Sequence, residues 1–384
     1  MHDGPESLPP ASLAALDAAQ VVMGPARHLA LLPTTAAQQI TWPVPFSDGL
    51  PILLGLRGQQ VAVLVSGDPF WFGAGRVIAD ALRPGEWRAL PAPSTFSLMA
   101  ARLGWPLEAT PCLGLHAAPL AQLRPHLFAG GRIMVLLRNG AAVGALAEWL
   151  CAQGFGASRL HVCEALGGAK ERLRIAQAEG FALHDVQHPV AVGVEMAGAG
   201  PSFTLAPGRA DDLFAHDGQI TKRPVRALAM SALAPRAADL LWDIGGGSGS
   251  ISVEWGLSHP SCRAICIEPR ADRRATIREN VARFGVSVEL VEGRAPEALA
   301  ALPRPDAVFI GGGLSAALLD ALAPLSGTRM VAHAVTLESE ALLIAWAARK
   351  HGALMRVEIA QAEPLGRLRG WVPARPIVQW AGVL

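Results

Sequence analysis

A strand-like run that passes straight into a glycine loop, and from there into a helix, constrains this chain more than any other stretch. Residues 240–254 read Leu240-Leu241-Trp242-Asp243-Ile244-Gly245-Gly246-Gly247-Ser248-Gly249-Ser250-Ile251-Ser252-Val253-Glu254. Glycines permit positive φ and let a ligand lie directly on the backbone, while a helix N-terminus presents unpaired N–H groups. About twenty residues on, Glu268 ends the next strand, where a carboxylate can accept hydrogen bonds from both hydroxyls of a ribose. Together they describe a site for a nucleoside ligand.

The dinucleotide fingerprint needs a third glycine three positions after the second. That position is Ser250, so the pattern G-x-G-x-x-G fails. The glycines are instead Gly245, Gly247 and Gly249, preceded by Asp243, a loop that resembles the G-x-G-x-G turn of class I S-adenosylmethionine-dependent methyltransferases. That resemblance implies S-adenosylmethionine as cofactor, with Glu268 on its ribose. Glu292-Gly293-Arg294-Ala295-Pro296-Glu297-Ala298-Leu299 follows the third strand, where these folds contact adenine. Asp306-Ala307-Val308-Phe309-Ile310-Gly311-Gly312-Gly313 ends the fourth strand at the same sheet edge, with room for substrate.

Strand-like runs alternate with helical stretches along the whole chain, the pattern of parallel sheets. In the first half, strands are expected at 20–23, 61–65, 132–137, 160–163 and 190–194, with helices at 142–151 and 170–178 among others. The small, loop-like stretch Met196-Ala197-Gly198-Ala199-Gly200-Pro201 places a domain boundary at about 200–210, giving domains 1–205 and 206–384. In the second half, strands are expected at 240–244, 264–268, 287–291, 307–310 and 329–333. Helices fall at 250–257, 272–284, 296–302, 316–323 and 338–350. Two β-like stretches, 354–360 and 372–380, then flank a Gly/Arg-rich connector. This suits a doubly wound α/β sheet with an antiparallel edge strand.

Composition narrows the partners. The 33 Lys+Arg nearly balance 32 Asp+Glu, giving a net charge of +1, so no basic face for nucleic acid is expected. Nearly all the cations are arginine, whose planar fork suits carboxylates. No apolar stretch approaches the ~18–20 residues of a membrane span, and Met1-His2-Asp3-Gly4-Pro5-Glu6 has no export-signal character. Five cysteines make no disulfide framework. Cys262 and Cys266 read as structural, no metal site is expected, and a cytoplasmic protein is the working expectation.

The run Gly218-Gln219-Ile220-Thr221-Lys222-Arg223-Pro224-Val225-Arg226-Ala227-Leu228, then Asp243 to Glu254, then Gly293 to Leu299, resembles the decarboxylating cobalt-precorrin-6B C15-methyltransferase family. The resemblance covers roughly residues 206–384. It implies methyl-donor contacts at Thr221, Gly245, Gly246, Gly247, Ser248, Gly249, Glu268, Arg294 and Ala295. Arg294 stands where that family often has an acidic residue, so its contact is expected through the backbone.

The first half is similar to another family, the class III tetrapyrrole methylases, in their precorrin C5-methyltransferase branch. The matching stretches are Ala19 to Leu29, Ser66-Gly67-Asp68-Pro69-Phe70-Trp71-Phe72-Gly73-Ala74-Gly75-Arg76, Pro93 to Ser97 and Cys163-Glu164-Ala165-Leu166-Gly167. Gly67 and Asp68 become donor or substrate contacts by that resemblance. Two departures stand out. That family opens with a strand and a glycine-rich loop not found at Met1-His2-Asp3-Gly4, so either the true start lies upstream or the first domain's donor site is altered. In addition, Leu115-His116-Ala117-Ala118-Pro119 stands where the family has a His-Gly-Arg run that would supply a substrate arginine. Fusion of the two halves is the hallmark of the precorrin-6Y C5,15-methyltransferase (decarboxylating) family of aerobic cobalamin biosynthesis.

The resemblance implies methylation of precorrin-6B at C5 and C15 and loss of the ring C acetate carboxyl, giving precorrin-8X. The expected partner is a polycarboxylate tetrapyrrole, with self-association left open. Methyl transfer from a sulfonium needs a carbon nucleophile held on axis about 3 Å from the methyl more than it needs a strong base. The candidate side chains for moving a proton or orienting substrate are His333, in Val331-Ala332-His333-Ala334, and Asp68. Glu254 reads as helix-facing structure. Alternatives are a nicotinamide-dependent oxidoreductase, against which Ser250 argues, and a non-catalytic tetrapyrrole carrier.

Overall fold

The computed structural model describes residues 8–33 and 35–384. The expectations placed on Met1 to Glu6, including the missing opening strand, lie outside them. The chain divides into two compact units, one running to Pro201 without 121–125, the other comprising Ser202–Leu384 with Ala121–Pro125.

Among the described residues, the first unit holds two sheets. The strands β1 (Val21–Gly24), β2 (Gln38–Thr41) and β3 (Val61–Val63) pair in parallel in the order β2-β1-β3. All four residues of β1 are buried, as a strand covered on both faces requires. The second sheet contains β4 (Cys112–Gly114), β5 (Arg132–Leu137), β6 (Arg159–Glu164), β7 (Arg172–Gln177) and β8 (Val190–Glu195). Its order is β4-β5-β8-β6-β7, and only the β4–β5 pair is parallel. The helix Ala141–Ala152 buries Val143, Leu146, Ala147 and Leu150, one stripe at the 3, 4, 7 spacing.

Residues 170–178, expected as a helix, instead form β7, hydrogen-bonded to β6. The alternation Arg172-Leu173-Arg174-Ile175 has period two, and the strand turns its arginines, rather than its apolar residues, toward the sheet. Glu164, 1% exposed, explains the inversion. It accepts from Arg172 Nη2 at 2.7 Å and from Arg174 Nε at 3.0 Å, so charge pairing sets the register. Leu173 and Ile175 are left on the exposed side.

The second unit is built on one seven-stranded sheet. Its strands are β9 (Leu240–Ile244), β10 (Arg263–Ile267), β11 (Val288–Val291), β12 (Ala307–Ile310), β13 (Arg329–Ala334), β14 (Gly352–Val357) and, after the hairpin β15 (Ala360–Leu365) and β16 (Leu368–Pro373), β17 (Ile377–Val383). The order is β11-β10-β9-β12-β13-β17-β14, parallel except for β17, which is inserted antiparallel between β13 and β14. Alternate residues of β9 serve opposite layers: Leu240, Trp242 and Ile244 pack with Val308 and Ile310, and Leu241 packs with Phe309 and Trp255.

Two expectations need correction. The connector between 360 and 372 is the β15–β16 hairpin, closed at Gly366 with φ +61°. The expected stretches 354–360 and 372–380 therefore each split in two. Residues 296–302 form only the short 3₁₀ turn Glu297–Leu299, since Pro296 and Pro303 bracket too few residues for a stable α-helix.

The chain runs from β11, at one edge, back across the sheet to β12 on the far side of β9. The crevice outside the C-terminal ends of β9 and β12 is thus the topological switch point, where open α/β sheets bind ligands.

Candidate methyl-donor site

Two glycine turns meet at that crevice. Gly245 follows β9 with φ +73°, and a Cβ there would come within 2.7 Å of the Gly312 carbonyl oxygen, so the turns after β9 and β12 touch backbone to backbone. Gly247 is different. Its φ is +58°, yet a Cβ added there would meet no heavy atom closer than 4.0 Å, and at Gly312 and Gly313 it would meet none within 4 Å. The first contact is a packing demand; the second group lines open space that side chains would fill. Ser248 and the loop glycine Gly246 lie below that space, Ser248 buried and Gly246 pressed on Cys266, whose Sγ a Cβ would meet at 2.1 Å.

Glu268 follows β10 and is 2% exposed. Its Oε2 accepts the Gly247 N–H at 2.9 Å and its Oε1 the Arg270 N–H at 3.0 Å. One acceptor direction on each oxygen is satisfied, and each retains a second lone pair. Behind the loop, Asp243 accepts the Ser252 N–H at 3.1 Å and the Ser252 hydroxyl at 2.6 Å, closing the first turn of helix Ser250–Ser258. Burial raises the Asp243 carboxyl to about 6, opposed by the Ser252 bonds and assisted by the nearby Glu268 charge.

Thr221 lies two residues before helix Arg223–Leu233, next to its N-cap Lys222, and its carbonyl accepts from Arg226 Nη1. The neighbouring Gln219 carbonyl is one of the two atoms 4.0 Å from the Gly247 Cβ direction, so this segment borders the open space. Arg294 is exposed and Ala295 half-buried in the turn after β11, where the Arg294 carbonyl accepts the Ala298 N–H at 2.9 Å. His333 lies on β13, 8% exposed, with Nε2 2.9 Å from Gln379 Oε1 on β17 and its ring edge-on to Phe309 at 5.0 Å. Burial lowers its pKa below the ordinary histidine value and so favours the neutral ring, and the Gln379 bond only partly offsets this.

Gly67 and Asp68 belong to the first unit and follow β3. Gly67 is buried with φ +55°, and Asp68 Oδ1 accepts the Phe70 N–H at 2.8 Å, an Asx-type turn. A groove of about 1010 Å³ runs along the outer side of β3, lined by Leu53, Val61, Val63, Ile78 and Leu90. Glu254, read as structural, accepts from Gly208, Arg209 and Arg226 within the second unit. Two buried side chains next to the loop, Asn280 and Arg226, had no role in the sequence reading. Arg226 lies inside the Gly218 to Leu228 run, and Asn280 sits on helix Ala271–Phe284 with no local signal.

Residues 3–182 match the family of tetrapyrrole (corrin/porphyrin) methylases, and residues 212–383 match the precorrin methyltransferase domain. The chain is 49% identical over 377 residues to a precorrin-6Y C(5,15)-methyltransferase (decarboxylating) of Sinorhizobium sp, covering 94% of this chain and 90% of the relative. It is 39% identical over 392 residues to the protein of that name in Mycobacterium tuberculosis (strain ATCC 25618 / H37Rv), covering 99% and 97%. The crystal structure of the C-terminal domain of precorrin-6Y C5,15-methyltransferase from Rhodobacter capsulatus shares 58% identity and a TM-score of 0.46, covering 47% of this chain and 100% of that one.

A tetrapyrrole methylase domain followed by a second, sheet-based methyltransferase domain defines an enzyme of methyl transfer to a tetrapyrrole. Identity over nearly the whole length narrows this further. The chain belongs to the precorrin-6Y C(5,15)-methyltransferase (decarboxylating) family.

Proposed function

We infer that this enzyme methylates precorrin-6B at C5 and C15 and removes the ring C acetate carboxyl to give precorrin-8X, using S-adenosylmethionine as methyl donor. The first unit is assigned the C5 transfer, and the second the C15 transfer and decarboxylation. The observation that carries the reading is the open backbone at Gly247, Gly312 and Gly313, together with the Glu268 carboxylate to which the Gly247 N–H donates. The residues fit an adenosyl group: bare backbone on one side, and on the other a carboxylate with spare acceptor capacity for ribose hydroxyls. Ser250, buried in the first helical turn, occupies the place where a dinucleotide needs glycine.

When bound, S-adenosylmethionine supplies an electrophilic methyl on a sulfonium. The chain's own contribution is placement. Glu268 would hold the ribose, the Ala295 turn would border the adenine, and the glycines after β12 leave access for the macrocycle. At the reacting carbon a C–C bond forms as the S–CH₃ bond breaks, its electron pair staying on sulfur and the carbon or conjugated nitrogen system losing a proton. In decarboxylation the acetate C–C bond breaks, carbon dioxide leaves, and the pair enters the conjugated imines, followed by protonation. A neutral, partly shielded His333 is assigned the proton movement in the second unit, and Asp68 the orientation of donor or substrate in the first.

The test uses the full chain. Gly247→Val places a β-branched side chain at positive φ and into the open space. Incubated with donor and substrate, this variant is expected to give a product with one added methyl and its carboxyl intact. Two added methyls from it would refute the division of labour.

A further inference from the structure

Between Asp211 and Lys222 the chain has almost no regular structure, only the 3₁₀ turn Asp211–Leu213 before helix Arg223–Leu233 begins. Backbone of that kind stays in place only where side chains satisfy it. Two fully buried polar side chains do so here. Asn280 accepts the Ala215 N–H at 2.8 Å and donates from Nδ2 to the Ala215 carbonyl at 2.9 Å and to the Ser248 carbonyl at 2.8 Å. One amide thus joins the segment to the glycine loop.

Arg226 makes the second tie. Its Nε donates to Glu254 Oε1 at 3.1 Å, and its Nη1 to Asp211 Oδ1 at 3.0 Å and to the Thr221 carbonyl; Nη2 donates to the Arg209 carbonyl. Glu254 stands on helix Ser250–Ser258, which the glycine loop opens. The guanidinium also lies 4.6 Å from the Phe214 ring centroid, and Phe214 stacks on Phe284.

We propose that Asn280 and Arg226 are positioning residues for the methyl donor. They fix residues 215–222 beside the glycine loop, so that Gln219 to Thr221 forms one wall of the donor pocket. This rests on the donor reading above and goes beyond it by assigning the wall to two side chains that lie behind it. The Gln219 carbonyl, 4.0 Å from the Gly247 Cβ direction, marks where that wall meets the open space. Stability alone does not require such a device: replacing a buried ion cluster by apolar side chains is often neutral or stabilising. A forked cation and a two-sided amide, by contrast, fix where several backbone groups lie.

The test compares the wild-type full chain with Asn280→Ala, Asp211→Asn and Arg226→Lys. S-adenosylhomocysteine is the probe, titrated calorimetrically well below each variant's melting temperature, alongside amide hydrogen exchange. Loss of one buried hydrogen-bonding partner is expected to weaken probe binding by about ten- to hundredfold for Asn280→Ala. Exchange at 215–222 should accelerate while that of β9 to β13 stays unchanged. Should Arg226→Lys fail to fold, Asn280→Ala and the half-buried Asp211→Asn carry the comparison. Variants that exchange faster at 215–222 yet lose no binding event, every probe affinity staying within about twofold of wild type, would overturn the proposal. A wild-type chain that does not bind the probe would overturn the donor reading instead.

Discussion

The Gly247 N–H donates to Glu268 Oε2 at 2.9 Å, so the loop that ends one strand and the carboxylate that ends its neighbour form a single hydrogen-bonded unit. Glu268→Ala removes the acceptor of both Gly247 and Arg270 and the expected ribose contact together. Binding of S-adenosylhomocysteine is expected to weaken by about a hundredfold, with Glu268→Gln intermediate because one carbonyl oxygen remains. Calorimetric titration checks this, and an unchanged affinity in Glu268→Ala would remove the carboxylate from the site.

Asp243 gives a pH signature. Its carboxyl is raised in the folded state, from an ordinary value near 3.8 to about 6, so the folded chain holds a proton there that the unfolded chain has already lost. The sign follows: this group's contribution to stability is most favourable below about 4 and declines as pH rises to about 6. Asp243→Asn keeps an acceptor for Ser252 and cannot ionise. Its stability relative to wild type should therefore improve across that interval and level off above it, measured by urea denaturation at stepped pH. A gap that is flat with pH would contradict the assignment.

In the first unit, Glu164 neutralises Arg172 and Arg174 and accepts the Gln187 N–H at 2.7 Å. Burial works to raise its pKa, but the bonds from Arg172, Gln187 and Arg174 win and hold it below the ordinary 4.5. Its stabilisation is present at neutral pH and is lost as pH falls through that lowered value. Glu164→Ala should cost about 3 kcal/mol, the low end for breaking a buried pair, because both arginines keep Asp185 as a partner. Thermal or urea unfolding of the full chain reads it out, and a loss below about 1 kcal/mol would reduce the pairing to a surface effect.

His333→Phe retains a flat ring against Phe309 but abandons Gln379. If the imidazole moves a proton, decarboxylation should slow by about a hundredfold or more while probe binding holds. Single-turnover product analysis decides, and a change of less than about threefold would leave the ring as packing between β13 and β17.

Much of the second unit was legible because its signals are local. Apolar runs such as 240–244 and 307–310 coincide with β9 and β12, and the glycine spacing of 245–249 announces the loop. The edge of the first unit was not, because β7 inverts the usual pattern: its register depends on Glu164, supplied by another strand. Asn280 escaped for a similar reason. Its partners, Ala215 and Ser248, lie 65 and 32 positions away, and an asparagine inside a charged amphipathic helix carries no mark of such distant bonds.

The placement of β17 between β13 and β14 has a consequence for synthesis. Those two strands never touch each other; each is bonded instead to a ribbon translated after both of them. As the polypeptide emerges, β13 must wait with one flank open while some forty further residues appear, and β14 waits with it. The layer seals only when 377–383 slides into the gap. Ribosome-bound chains halted before that point would thus present unpaired strand edges on β13 and β14 at once, borders of the kind that favour association.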